Sequence, residues 1–159
     1  MLVAALLITG IFLATGLGIM SAQATRYEGS AKLADSLQAK NAALAGLDDV
    51  RVKLSKDVRF PPRKAKMRGQ DRFAYSETLV VADPANSQQE VSYSVTVDYG
   101  LEEEVQIRTR ALPYRWGLYR LTISGYVGPR AEPVAQSMVY AEYHIGTGSI
   151  IRFEDRSSL

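Results

Sequence analysis

The side chains that could carry out catalysis are few in this sequence. His144 is its single histidine and cysteine is absent, so a two-histidine metal site, a thiolate site and a cysteine nucleophile are all excluded. A Ser-His-Asp arrangement would have to recruit His144 from a strand-like segment with no nucleophile-elbow motif nearby. We therefore predict an ordinary sheet histidine in a protein that is not an enzyme.

A run of three glutamates, Glu102 to Glu104, follows Gly100. These carboxylates could ligate Ca²⁺, but the run lacks the loop spacing of a dedicated calcium site, so we interpret it as a solvated hairpin tip. Neither of the glycine-rich phosphate-binding patterns occurs. The sequence thus predicts no metal, no cofactor and no small-molecule substrate.

The elements that hold these residues begin with a long uncharged stretch. Residues 1–25 carry no charged side chain, and the first proline is Pro61. Leu2 to Met20 is about as long as a helix that crosses the hydrocarbon core. We predict one helix from residue 2 to about residue 55, with residues 1–25 inserted in a membrane or in a bundle of like helices.

Glycines lie within this apolar segment, at Gly10, Gly16 and Gly18. Small residues let helix backbones approach closely, so these three are candidate sites of helix packing and assembly. The alternative is that they are the glycines common in any membrane helix.

A cleavable signal peptide is a competing interpretation of the same segment. Ala22-Gln23-Ala24 fits the cleavage pattern, and cutting after Ala24 would release a secreted domain. No basic residue precedes Arg26, however, and the apolar run is longer than a signal peptide needs. An uncleaved helix is the prediction.

Residues 26–57 continue the helix with an amphipathic pattern. A stripe of apolar residues at helical spacing predicts the contact between this helix and a sheet. The predicted core residues of the helix are Leu33, Leu37, Leu44, Leu47, Val50 and Leu54.

A basic connector, residues 58–72, leads out of the helix. Pro61 and Pro62 cannot continue a helix. Six basic residues stand against one acid, which would suit an acidic partner, but no stacking aromatics are interleaved and nucleic acid is not the predicted partner. We interpret the connector as a solvated loop; its basic residues are Arg59, Arg63, Lys64, Lys66, Arg68 and Arg72.

From residue 73 to residue 159 the hydrophobic period changes to two. Alternating segments rich in Val, Ile, Tyr and Thr, separated by turn residues, predict about five antiparallel strands. One face, with Val91, Tyr93, Val95, Val97 and Tyr99, would cover the helix. The predicted fold class is α+β, and the predicted strands are FAYSETLVVA, VSYSVTVDY, VQIRTRA, LYRLTISGY and VAQSMVYAEYHI.

This plan resembles type IV pilins and pseudopilins, and most of all minor pilins of the PilX type. The likeness rests on the apolar segment LVAALLITGIFLATGLGIMS, on the alanine-rich stretch Leu37 to Leu47, and on Tyr119 to Gly128, which resembles the strand and turn often found late in such chains. Many pilins place a glutamate near the start of the helix, whereas here no acid precedes Glu28. Since PilX-type proteins often lack that glutamate, a minor subunit is favoured.

The resemblance implies a function in assembling, initiating or capping a pilus-type filament. It implies other pilin subunits as partners of the N-terminal helix, a single pass of that helix through the inner (cytoplasmic) membrane, and an extracytoplasmic sheet domain. Two alternatives stay open: a membrane-anchored extracytoplasmic binding domain unrelated to filaments, and the secreted domain released at Ala24.

Overall fold

One helix and five strands make up the computed structural model, which describes residues 2–57, 60–62, 71–80, 90–105 and 114–156. The helix, α1, is Leu2–Lys56, so the predicted helix from residue 2 to about 55 is confirmed. The strands are β1 (Arg72–Val80), β2 (Val91–Val105), β3 (Tyr114–Val127), β4 (Ala135–His144) and β5 (Ser149–Asp155).

The chain divides into two compact units. The N-terminal unit is Met1–Ala34 and contains the apolar part of α1. The C-terminal unit is Asp35–Leu159 and contains the rest of α1 together with the sheet.

The five strands form one sheet in chain order, β1-β2-β3-β4-β5, and every neighbouring pair is antiparallel. Short connections between successive strands favour this meander, because only antiparallel neighbours can be joined by tight turns. The α+β class with an antiparallel sheet is therefore as predicted from the change in hydrophobic period.

The strand predictions differ from the structure at two places. Val105, the first residue of the predicted strand VQIRTRA, is the last residue of β2, and the rest of that prediction lies outside the described part of the chain. A further strand, Ser149–Asp155, was not predicted; its alternation is interrupted at Ile151, where the register with β4 is irregular.

The acidic run is also placed differently from the prediction. Glu102 to Glu104 belong to β2, where their backbones pair with Gly117 to Arg115 of β3. They are strand residues and not a hairpin tip, because β2 runs past Gly100 after an irregularity in its register between Asp98 and Leu101.

One face of the sheet packs on the helical part of the C-terminal unit. Val91, Tyr93, Val95 and Val97 of β2 are buried, as the alternation predicted, and Tyr99 packs partly against the cluster. Neighbouring strands add further residues in register. The other fully or nearly fully buried sheet residues of this cluster are Tyr119, Leu121, Ile123, Val139, Ala141 and Tyr143.

The helix meets the sheet through small residues. Ala39, Ala42, Ala43 and Gly46 are buried, and they lie on one side of α1 with Val50. Alanine has a high helix propensity. Its small side chain also lets α1 pack closely on the sheet.

The predicted leucine stripe is correct only in part. Leu47 and Val50 are in the core, and Leu44 and Leu54 pack partly against it. Leu33 and Leu37 are 55% and 53% exposed, so their assignment to the core is wrong. At about 100° per residue, Leu37 lies roughly 160° around the helix from the middle of the alanine stripe, and the alanine stripe is the side that faces the sheet.

Glycine at two positions explains this rotation of the helix. A Cβ on Gly125 of β3 would lie 2.1 Å from the carbonyl oxygen of Ala39 and 2.5 Å from the backbone nitrogen of Ala43. A Cβ on Gly46 would lie 2.7 Å from Cδ2 of Tyr93. Helix and sheet backbones are therefore closer here than any larger side chain would allow.

Candidate assembly and binding surfaces

The surface of the N-terminal unit is apolar. Among the described side chains between Ile8 and Met20, the large hydrophobic ones are 55–72% exposed. No single turn of the helix is an exception, so the segment requires an apolar environment from outside the chain. The exposed residues are Ile8, Phe12, Leu13, Leu17, Ile19 and Met20.

The three candidate packing glycines are all open to the outside. A Cβ on Gly10, Gly16 or Gly18 would meet nothing within 4 Å. At about 100° per residue, Gly10 and Gly18 are about 80° apart, whereas Gly16 is about 120° from Gly10. The glycines therefore do not form one stripe, and they permit close approach on more than one side of the helix.

Two threonine hydroxyls in this unit hydrogen bond to backbone carbonyls of the same helix. Thr15 Oγ1 donates to the Phe12 carbonyl at 3.0 Å, and Thr25 Oγ1 donates to the Ser21 carbonyl at 3.1 Å. A hydroxyl that bonds within its own helix carries no unpaired polar group into hydrocarbon. By length and composition, α1 is the one helix among the described residues that could cross a membrane.

Most of the basic connector lies outside the residues that the structure describes. Arg59, Arg63, Lys64, Lys66 and Arg68 lie outside the described residues, so their solvated state stays a prediction. Arg72 is the exception, since it begins β1.

A polar network joins α1 to the sheet beside the core. Lys53 Nζ donates to Asp49 Oδ2 at 2.7 Å and to Glu77 Oε1 at 2.5 Å. Tyr75 donates its hydroxyl to Asp49 at 2.8 Å, and Tyr93 donates to Glu77 at 3.0 Å. The Lys53 ammonium also lies 4.1 Å from the centre of the Tyr75 ring.

This network shifts the pKa values of its members. Burial raises the pKa of the Tyr75 and Tyr93 phenols well above the usual range, and hydrogen bonds to Asp49 and Glu77 add to the rise. Burial opposes the charge of Asp49, but hydrogen bonds from Lys53 and the tyrosines prevail and lower its pKa. Both tyrosines therefore remain donors, and Asp49 remains an acceptor, around neutral pH.

The outer face of the sheet carries a row of alternating charges. Five residues, one from each strand, occupy successive paired positions with the signs plus, minus, plus, minus, plus. Opposite charges directly across a pair of strands stabilise that pairing, each by a few tenths of a kcal/mol to about 1 kcal/mol. In strand order the row is Arg72, Asp98, Arg120, Glu142 and Arg152.

Part of this row lines an open groove of about 470 Å³, hereafter the arginine groove. Three guanidinium groups and a single carboxylate line it, with two threonines on adjacent central strands between them. Thr96 and Thr122 are directly paired across β2 and β3. The residues of the groove are Arg72, Thr96, Asp98, Arg120, Thr122, Tyr140 and Arg156.

His144 has a structural environment. Its ring packs edge-on against Trp116 at 4.9 Å, and its Nδ1 accepts a hydrogen bond from the Thr147 backbone N–H at 3.1 Å. These contacts hold the tight turn between β4 and β5. Within the described ranges, no group of three or more His, Asp or Glu residues is arranged to hold a metal ion.

Comparison with known proteins does not assign the chain to a family. A scan against protein-family models finds no match, and searches of curated proteins and of solved structures find none either.

Sequence reasoning missed both the charge row and the arginine groove. Each of their residues looks like an ordinary solvated charge or hydroxyl within its own strand. The signal is visible only when the strands are placed in register, which brings Arg72 and Arg120 to the two sides of Asp98.

Proposed function

We propose that this chain is a minor pilin or pseudopilin that takes part in assembling, initiating or capping a pilus-type filament. The observation that supports this most is the N-terminal unit, whose helix exposes both large apolar side chains and open glycines. In this proposal, like helices replace lipid around it when the subunit leaves the membrane.

The distribution of glycines favours a bundle over a simple pair of helices. A two-helix contact needs small residues along one stripe, as in the small-xxx-small pattern. Gly16 faces away from Gly10 and Gly18 by about 120–160° of helix rotation. A subunit surrounded by several neighbours can use close approach on each of these sides.

The C-terminal unit is the part that would face outward. Its sheet has a polar, charged outer face and buries its apolar face under α1. Such a unit is stable in water without a further apolar partner. The proposed location is a single-pass anchor in the inner membrane with an extracytoplasmic domain.

The test enlarges the glycines of the apolar segment. The double variant Gly10→Leu and Gly16→Leu should abolish filaments without lowering the amount of protein in the membrane fraction. Close approach depends on the missing side chains, whereas insertion depends on apolarity, which Leu increases. Filaments are counted by electron microscopy in the cell that makes the protein, and membrane protein is measured by immunoblot.

Two control variants accompany this test. Leu13→Ile with Leu17→Ile preserves volume and apolarity in the same segment and should leave filaments intact. Replacing Arg63, Lys64, Lys66 and Arg68 by Ala should have a small effect. Filaments that survive the glycine changes but disappear with the basic ones would overturn the proposal and favour an anchored binding domain.

A further inference from the structure

We propose that the arginine groove binds an acidic oligosaccharide, that is, a short chain of sugars that carry carboxylates. The inference concerns the C-terminal unit alone and does not depend on the filament proposal. It rests on the unused hydrogen-bond donors of the groove, on their spacing across the sheet, and on the position of the groove over the central strands.

The three arginines that line the groove keep most of their donors. A guanidinium group has five N–H donors. Arg72 uses Nε for Asp98 at 3.3 Å, and Arg120 approaches Glu142 only at 3.9 Å. Arg156 contacts Glu154 through Nε and Nη2. The remaining N–H groups can bind carboxylates in the forked geometry that arginine favours.

The floor of the groove offers hydroxyls. Within the described residues, neither Thr96 nor Thr122 hydrogen bonds through its side chain to another described group, and both are partly exposed. A hydroxyl both donates and accepts, which matches the hydroxyls of a sugar. Tyr140 bounds the groove on the side of β4, where its hydroxyl bonds Glu142 at 2.9 Å.

The spacing of the arginines calls for an oligomer. Arg72 and Arg120 are on strands separated by one other strand, so their backbones are roughly 10 Å apart. Asp98 lies between them in the row, so separate carboxylates on the two sides of Asp98 fit the groove better than one shared carboxylate. A chain with a carboxylate on each unit can contact both arginines together, and the second contact is then made at high effective concentration.

The position of the groove disfavours an extended peptide. Peptides commonly bind a sheet by adding a strand at an edge, where backbone N–H and C=O groups are free. The floor of the groove lies on β2 and β3, which are hydrogen bonded on both sides. Recognition must therefore go through side chains, and this favours a ligand whose own polar groups are hydroxyls and carboxylates.

The test titrates the full-length chain, in detergent micelles, into fluorescently labelled trigalacturonate while anisotropy is measured. We expect saturable binding that weakens as salt is added, since exposed charges are screened. The galacturonate monomer, tested by competition, should bind at least about tenfold more weakly than the trimer. The neutral galactose trimer should not compete.

Variants locate the binding site. Arg120→Ala should weaken binding about tenfold or more, and Thr122→Val, which keeps the shape and removes only the hydroxyl, about threefold. Arg51→Ala is the matched control, because Arg51 is an exposed arginine on α1 with one contact to Asp48 at 3.4 Å. Thermal unfolding checks that each variant is folded. If Arg120→Ala does not fold, Thr122→Val alone tests whether the ligand binds in the groove.

Three outcomes would overturn the proposal. The first is the absence of saturable binding by trigalacturonate. The second is equal weakening by Arg51→Ala and by the groove variants, since that would indicate general charge attraction. The third is stronger competition by triglutamate or by a trinucleotide than by trigalacturonate, which would assign the groove to an acidic peptide or to nucleic acid instead.

Discussion

At the scale of single residues, the contact between α1 and the sheet depends on glycines, which have no side chain. Gly46 and Gly125 stand where the backbones come closest. Ala39 and Ala43 provide the opposite wall for Gly125, in part through their backbone atoms. An added methyl group at such a place forces the core to shift, which typically costs about 1–3 kcal/mol.

The first prediction compares two glycines of the same helix. Gly46→Ala should lower the free energy of unfolding by about 1–2 kcal/mol, because the clash with Tyr93 and Ile123 outweighs the gain in helix propensity. Gly29→Ala adds its Cβ in open space and should be neutral or slightly stabilising. Chemical denaturation of the full-length chain in detergent, followed by tyrosine fluorescence, measures both. A Gly46→Ala variant as stable as Gly29→Ala would contradict the described packing.

At the scale of elements, the helix is oriented by what surrounds its packed stripe. Lys40 reaches Asp155 of β5 in an ion pair of 2.5 Å, whereas Lys53 and Asp49 reach β1 on the other flank. The two polar flanks and the small-residue stripe between them define one rotation of α1 on the sheet. That rotation leaves Leu37 in solvent.

The second prediction makes the same substitution at two leucines. Leu47→Asp should destabilise the C-terminal unit by more than about 3 kcal/mol, because it places a charge among buried side chains. Leu37→Asp should change stability by no more than about 0.5 kcal/mol, since Leu37 is exposed. Thermal unfolding followed by near-ultraviolet circular dichroism distinguishes them. If both variants unfold alike, the helix lies on the sheet with its leucine stripe and not with its alanines.

A single residue, Arg130, fixes the loop between β3 and β4 to the outer face of the sheet. Arg130, in the connection between β3 and β4, donates to Ser92 at 3.0 Å and to the Glu77 carbonyl at 3.3 Å, and it also bonds Ser76. The connection is thereby fixed to β1 and β2, two strands that come earlier in the chain. Charge-assisted bonds of this kind are stronger than neutral ones.

At the scale of the whole molecule, the chain combines units with opposite solvent requirements. The N-terminal unit exposes apolar side chains, and the C-terminal unit buries them. Exposed apolar side chains are favoured in an apolar phase, and a polar sheet face is favoured in water. The candidate span and the polar outer face of the sheet agree with these requirements.

The third prediction tests the apolar phase with paired lysines. Leu13→Lys with Leu17→Lys should shift the protein out of the carbonate-resistant membrane fraction, because each charge near the centre of a span costs about 2.5–3.5 kcal/mol. Leu33→Lys with Leu37→Lys makes the same change outside residues 1–25 and should leave the protein in that fraction. Equal extraction of both variants would show that the apolar segment is not what holds the protein to the membrane.

Much of the architecture follows from local sequence patterns. The absence of proline before Pro61 predicts α1 as one helix, and alternation in residues such as Val91 to Val97 predicts both the strands and their buried face. These properties depend on neighbours along the chain, so periodicity and composition contain them. β5 was not predicted because the adjacent residues Ile150 and Ile151 interrupt its alternation.

What only the tertiary structure decided is how the elements fit together. Leucines at helical spacing indicate an apolar side, but the close approach that Gly125 permits selects the alanines as the packed stripe. In the same way, Arg72, Asp98 and Arg120 become one row only through strand register. Both results depend on distances between residues far apart in the chain, and such distances have no period in the sequence to reveal them.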